Sequence, residues 1–181
     1  GPNYVATLAA WRDTGDDLAA VANRFEQWMR DVGDHDDDET GLAAEQNVFR
    51  YRPLTGGVLV RCGTDTTART RELLAAARTA TRTRPAWSES VDESPSELIT
   101  RLAALRVDRL RIVGADADTA HCDLRRAAHA EGIAVDDAPP VSAPEIELPR
   151  WLREQSVTIT THRHGRLAGR GDTEHGHRQR D

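Results

Sequence analysis

The chain has 181 residues, 24 basic against 30 acidic, and a net charge of −6. That length holds one domain of ordinary size with appendages, and the acidic balance excludes the basic footprint of a nucleic-acid binder. Hydrophobic residues make up 38%, below the share usual for a compact domain, so either the core is small or part of the surface belongs against further protein.

In chain order, residues 3–12 read as a short helical segment. Residues 16–32 read as an amphipathic helix, with Leu18, Val21, Phe25, Trp28 and Met29 at helical spacing and Asp16 and Asp17 at its positive end. Residues 33–41, GDHDDDETG, form a charged loop and a boundary. Residues 48–51 suit a short strand. Gly56-Gly57 marks a turn, and 58–62, VLVRC, is apolar enough for a strand covered on both faces. A helix over 66–81, a short strand over 86–88 and a helix over 95–105 follow, the last opened by Ser94-Pro95. Residues 109–113, RLRIV, alternate in polarity, which predicts a strand near a sheet edge with one face less covered. A helix over 117–131 stops at Gly132, and 133–135 is the last strand of the unit. This alternation of strand and helix specifies an α/β fold: a small Rossmann-like parallel sheet with right-handed crossovers.

The stretch 136–144, DDAPPVSAP, reads as a Pro-rich linker. A helix over 145–153 and a β-branched strand over 157–161 follow. The tail from 168 is expected to be disordered. The expected organisation is therefore a helical end with an acidic linker (1–46), a small α/β domain with its linker (47–144), a terminal helix-strand motif (145–167) and a tail (168–181).

No catalytic, cofactor-binding or metal-ligating set is expected in these residues. The dinucleotide fingerprint needs three spaced glycines in the first strand-to-helix turn. That turn offers only Gly63, and the third such turn only Gly114, followed by Asp116 and Asp118, which would repel phosphate. Asp34, Asp36, Asp38 and Glu45 match positions 1, 3, 5 and 12 of a calcium loop, but Glu39 stands where a Gly is required, so a solvated acidic segment is expected. The alternating His residues 162, 164, 175 and 177 have no partner spaced to complete a metal site. Cys62 and Cys122 have no metal spacing and no His placed to activate them, which suits buried small hydrophobes in a reduced, cytoplasmic setting. No run of 18 apolar residues is present, so neither a membrane span nor a signal peptide is expected. All 24 basic residues are Arg, a side chain suited to forked pairing with carboxylates at subunit interfaces.

Three segments carry a resemblance. The opening GPNYVATLAAW, which has no initiator Met, resembles the segment after the late glycine-rich motif of aldehyde dehydrogenases that oxidise L-glutamate γ-semialdehyde. AEQNVFRYRPL (44–54) and LPRWLREQSVTITTHRHG (148–165) resemble the start and the terminal motif of the C-terminal portion of bifunctional proline utilization A flavoenzymes. His164 departs from that motif, which usually carries Tyr there.

The resemblance implies that this chain is the C-terminal part of an oxidoreductase of proline catabolism, a 1-pyrroline-5-carboxylate dehydrogenase. Its Cys nucleophile, Glu base and NAD site would lie upstream, with FAD if a proline dehydrogenase module is joined. The partners it implies are the rest of the dehydrogenase polypeptide and further copies in a homo-oligomer. The terminal motif is then the candidate interface or closure element, through Trp151, Arg153, Glu154 and Gln155, then Val157, Ile159, His162 and Arg163. A strand there has no obvious hairpin partner in the chain, so it is expected to add to a sheet edge elsewhere, in the same polypeptide or a neighbouring subunit. A free-standing, non-catalytic α/β interaction or regulatory module is the alternative.

Overall fold

A computed structural model describes residues 17–38, 45–114, 119–160, 162–163 and 166–167. The predicted helix over 3–12, Glu39 of the calcium-loop pattern, and the tail from 168 lie outside these residues. The contacts divide the chain into two compact units, Gly1–His35 with Tyr51–Glu154, and Asp36–Arg50 with Gln155–Asp181.

The first unit is a mixed α/β structure around four parallel strands, β3 (Val58–Cys62), β4 (Pro85–Glu89), β5 (Arg109–Val113) and β6 (Ala134–Asp136), in the order β4-β3-β5-β6. Helices α2 (Ala68–Ala80), α3 (Pro95–Leu105) and α4 (Thr119–Ala130) join them. Each helix end has a local cause. Thr67 caps α2 by accepting from the Thr70 amide at 3.1 Å. Ser94 caps α3 in a reciprocal box with Glu97, behind a first-turn Pro95. Gly132, at φ +72°, terminates the turn after α4.

The alternation of side chains along β3 and β5 builds two cores. Val58, Val60, Cys62 and Val113 pack with α2 and with α1 (Leu18–Trp28), which contributes Val21 and Phe25. Leu59, Leu110 and Ile112 pack on the other face with Leu98 and Leu102 of α3 and Leu124 and Ala128 of α4. All five residues of β3 are buried, as its continuous apolar character requires.

Several local expectations are corrected. The helix read over 16–32 is α-helical only to Trp28 and closes in a wider π turn, Met29–Gly33. A Cβ at Gly33 would lie 2.6 Å from the Met29 sulfur, so the widened turn closes tightly on itself. Strand β5 is not near an edge: it runs between β3 and β6, and its Arg111 is fully buried. Its polar alternation comes from Arg109 and Arg111, which face a covering segment. That segment contains the residues read as a linker; Val141, Ser142 and Ala143 are buried. The helix read over 145–153 is one short α turn, α5 (Pro144–Glu147), followed by a 3-10 turn, Leu148–Trp151. Pro149 denies that turn an amide donor and favours the tighter winding.

The second unit takes most of a three-stranded sheet in the order β1 (Asp36–Asp37), β2 (Glu45–Pro53), β7 (Leu152–Thr160). Strand β2 (Glu45–Pro53) is longer than the 48–51 expected. Strand β1 (Asp36–Asp37) pairs antiparallel with it, so part of the charged loop is extended chain. Strand β7 (Leu152–Thr160) lies on the other side of β2. The terminal strand therefore adds to a sheet edge of the same polypeptide, and its partner β2 lies within this chain, where none was obvious. The hairpin partner was hidden because about 100 residues separate the two strands in sequence. A short antiparallel pair, β8 (His162–Arg163) with β9 (Arg166–Leu167), follows.

Candidate functional site

Two places can be weighed as sites: the crevice where the parallel sheet reverses its winding order, and the terminal segment running into β7.

The order β4-β3-β5-β6 puts the reversal between β3 and β5, where open α/β sheets bind ligands at the carboxyl ends of the strands. Here the two loops close on one another. The Gly63 amide, which a pyrophosphate would need, donates to the Val113 carbonyl at 2.7 Å. The Thr66 hydroxyl donates to the same carbonyl at 3.0 Å. A Cβ at Gly63 would lie 1.6 Å from the Gly114 oxygen. Gly114, at φ +62°, brings its own α-carbon against Thr66 and Asp65; a Cβ there would sit 2.5 Å from the Asp65 carboxylate. Beside this contact a crevice of about 600 Å³ is lined by Asp65, Thr66, Thr70, Arg125 and Asp137, among others. Arg125 is spent on Asp137 at 2.7 Å, and the Asp65 carboxylate stands where a phosphate would approach. The arrangement presents carboxylate and carbonyl oxygen, which does not suit an anionic cofactor.

The neighbouring thiol is equally unsuited to catalysis. Burial, reinforced by the Glu89 carboxylate, pushes the Cys62 thiol up to about 11, so it stays protonated at neutral pH. Cys62 is buried as expected, whereas Cys122 is free and exposed, on the solvent side of α4 and not in the core expected for it. Among the described residues no three His, Cys, Asp or Glu side chains converge to hold a metal ion. Asp34 and Asp36, read against a calcium loop, pair instead with Arg82 and Arg50 at 3.4 and 3.3 Å.

The terminal segment is the more elaborate place. Glu147 of α5 is fully buried and accepts four donors. Arg111 of β5 forms a buried ion pair with it, the Trp151 indole N–H donates at 2.9 Å, the Val141 amide at 3.1 Å and Arg150 at 3.4 Å. The Arg111 guanidinium also lies 5.4 Å from the Trp151 ring centre. Leu148, Trp151 and Leu152 join the α1/α2 core. Arg109 donates to the carbonyls of Pro149 and Arg150, and burial lowers its pKa. The Thr83 hydroxyl donates to the Trp151 carbonyl at 3.2 Å.

Of the residues singled out in the sequence, Trp151 is wholly buried in this anchor. Arg153 and Glu154 are exposed, and Arg153 reaches Thr55 at 3.4 Å. Gln155 accepts from Arg50 at 3.1 Å, and Thr158 donates to Asn47 at 2.7 Å. These partners ascend along β2 as they descend along β7, the pattern of an antiparallel pair. Val157 is half-buried and Ile159 is 49% exposed. His162 and Arg163 lie in β8. The structure thus lines up the residues from 153 to 159 on one strand and separates Trp151 from them. Glu147 and Arg111 were missed. The one signal is a Glu one helical turn before a Trp, and Glu145 and Arg150 beside it give the stretch the look of a solvated turn.

No described helix is long and apolar enough to cross a membrane. No family model matches the chain, and no curated protein matches it. Among solved structures it is similar to proline utilization A (PutA) from Corynebacterium freiburgense, with 27% identity and a TM-score of 0.56 over 83% of this chain. The match covers 14% of that protein; the chain has a PutA-related fold and spans a small part of its neighbour's length.

Proposed function

We propose that the chain is the C-terminal part of an NAD-dependent L-glutamate γ-semialdehyde dehydrogenase of proline catabolism, in a bifunctional proline utilization A enzyme with an FAD-bearing proline dehydrogenase module. The carrying observation is the likeness to PutA over 83% of the chain. The resemblance of 44–54 and 148–165 to that family's C-terminal segments supports it. In this reading the chemistry belongs to the rest of the polypeptide, and the present chain has a structural role. Strand β7, with Val157 and Ile159 on one face, serves homo-oligomer assembly or closure of the active-site region. The carboxylate and carbonyl oxygens that the loops after β3 and β5 carry beside the crevice favour a non-catalytic role for the α/β unit itself.

The parent should reduce NAD with L-glutamate γ-semialdehyde, while the 181-residue chain alone should neither reduce nor retain it. Activity in the isolated chain would overturn the assignment of chemistry to the rest of the polypeptide. Ile159→Asp in the full-length enzyme should weaken assembly, read by sedimentation, or lower coupled turnover of proline to glutamate. If both stay at the unsubstituted level, β7 is not the contact element, and the free-standing interaction module becomes the better description of the α/β unit.

A further inference from the structure

We infer that residues 3–12 fold back as a helix on α1 and seat their apolar face in the groove beside Trp28 and Val32, making an αα-hairpin. The groove has a volume of about 380 Å³ and is lined by Asn23, Gln27, Trp28 and Val32, among others, and by Pro144 of α5. Asn23 and Gln27 are one helical turn apart, so the groove follows one side of α1 into the wider turn that ends it. Its polar rim is engaged within that side, where Gln27 donates to Asp31 at 2.8 Å. The rest is apolar. Trp28 is half-buried, with its ring 5.3 Å from that of Tyr51, and Val32 is 44% exposed.

The chain holds a cover of the right length and pattern. In 3–12, Tyr4, Leu8 and Trp11 recur at i, i+4 and i+7 with Val5 beside them, while Ala6 and Ala10 fall on the opposite side. Asp13, Thr14 and Gly15 suit a turn. Asp17 then caps α1 by accepting from the Ala19 amide at 3.3 Å. The short connection over 13–17 is of the length that joins antiparallel helices. A helix over 3–12 is about 15 Å long, close to the length of α1. Folding back from Asp17 therefore carries Leu8 to the middle of α1 and Tyr4 to its Trp28 end. Ten residues do not hold a helix alone in water; the groove gives this one an apolar surface to pack on. On the function proposed above, the hairpin is the joint between the dehydrogenase module and the α/β unit, but the inference rests on the groove and the segment alone.

Hydrogen exchange of the full chain, followed by mass spectrometry, tests this. Amides of 3–12 should exchange at least about tenfold more slowly than an unstructured segment of the same sequence. Leu8→Asp should abolish that protection and leave β5 unchanged. Val32→Asp, on the groove side and at an exposed position, should do the same, and the two substitutions together should do no more than either alone. Ala10→Asp loses more helix propensity than Leu8→Asp but lies on the far side of the segment, so it should keep most of the protection. Exchange of 3–12 at the unstructured rate in the unsubstituted chain would overturn the inference, and so would protection that survives Val32→Asp. Protection that grows with chain concentration would put a second copy's segment in the groove and overturn the hairpin as well.

Discussion

The two central strands each bury an arginine, on opposite faces of the same sheet, and the two are solved differently. Arg111 of β5 meets a carboxylate directly, with Glu147 brought in from beyond the sheet. Arg61 of β3 is equally buried, but its NH1 donates to the neutral Ser88 hydroxyl at 2.7 Å and to the Glu89 carbonyl at 3.3 Å. The nearest charge is relayed: Ser88 donates to Glu93 at 2.6 Å, and Glu93 itself is held by Arg101. The Arg61 Nε has no hydrogen-bond partner, and neither do the Arg111 Nε and Nη2; burial lowers the Arg61 pKa. A buried charge with a direct counter-ion is a joint between distant segments. A buried charge on neutral oxygens is a tolerated cost within one layer.

The difference can be broken from the Arg111 side first. Glu147→Ala leaves Arg111, the Trp151 indole and the Val141 amide without their acceptor. It should destabilise the fold by roughly 3 kcal/mol, the lower end for removing one partner of a buried pair, because Asp136 stays beside Arg111. Urea unfolding would measure it. Adding Arg111→Met should recover part of that loss and not all, since Trp151 and Val141 remain unpaired. A double substitution no more stable than Glu147→Ala would show that the ion pair is not what the carboxylate contributes.

Arg61→Met gives the contrasting result. It loses two hydrogen bonds and relieves a desolvated charge, while the Ser88–Glu93–Arg101 chain persists. The net change should stay within about 1 kcal/mol in the same assay. A loss as large as that of Glu147→Ala would erase the distinction between the two faces.

The smallest effect is on the acid limb. Hydrogen bonds from Arg101, then from Ser88, hold the Glu93 carboxyl below its ordinary range; the bond from Arg71 does the same for Glu89. A carboxylate depressed in the folded state adds stability above its unfolded value of about 4.3 and loses it as pH falls through the folded value. Stability should therefore decline below about pH 4.3, and Glu93→Gln should flatten that decline. Urea midpoints between about pH 2 and 6 would show it. An unchanged slope would mean that Arg61 and Arg101 do not sense Glu93 ionisation.

Reading the chain from its residues found most elements of the parallel unit. The helix read over 95–105 matches α3 at both ends, because Ser94, Pro95 and the apolar spacing act within one or two turns. The strand at 58–62 was legible because it is apolar on both faces. What failed was neighbourhood. RLRIV looked half-covered because nothing within β5 announces Glu147, 36 positions away. The 136–144 stretch looked like a linker because prolines and small residues suit a turn, whereas its Val141 and Ala143 fill the core. Of the candidate contact motif, strand character over 157–160 was readable, but its partner β2 was not, since antiparallel pairing over such a separation leaves no local mark.

The sequence by itself determined the α/β alternation, the helix caps, the turn glycines and the terminal strand, all of which depend on backbone preferences and side-chain period within a few residues. Only the tertiary structure decided that β5 is central, that the loops after β3 and β5 bond one another, and that β7 pairs with β2. It also decided that Glu147 is the partner of Arg111. Those outcomes depend on which distant groups come within hydrogen-bonding reach of each other, and a buried charge or an open strand edge states only that it needs a partner, not where in the chain the partner lies.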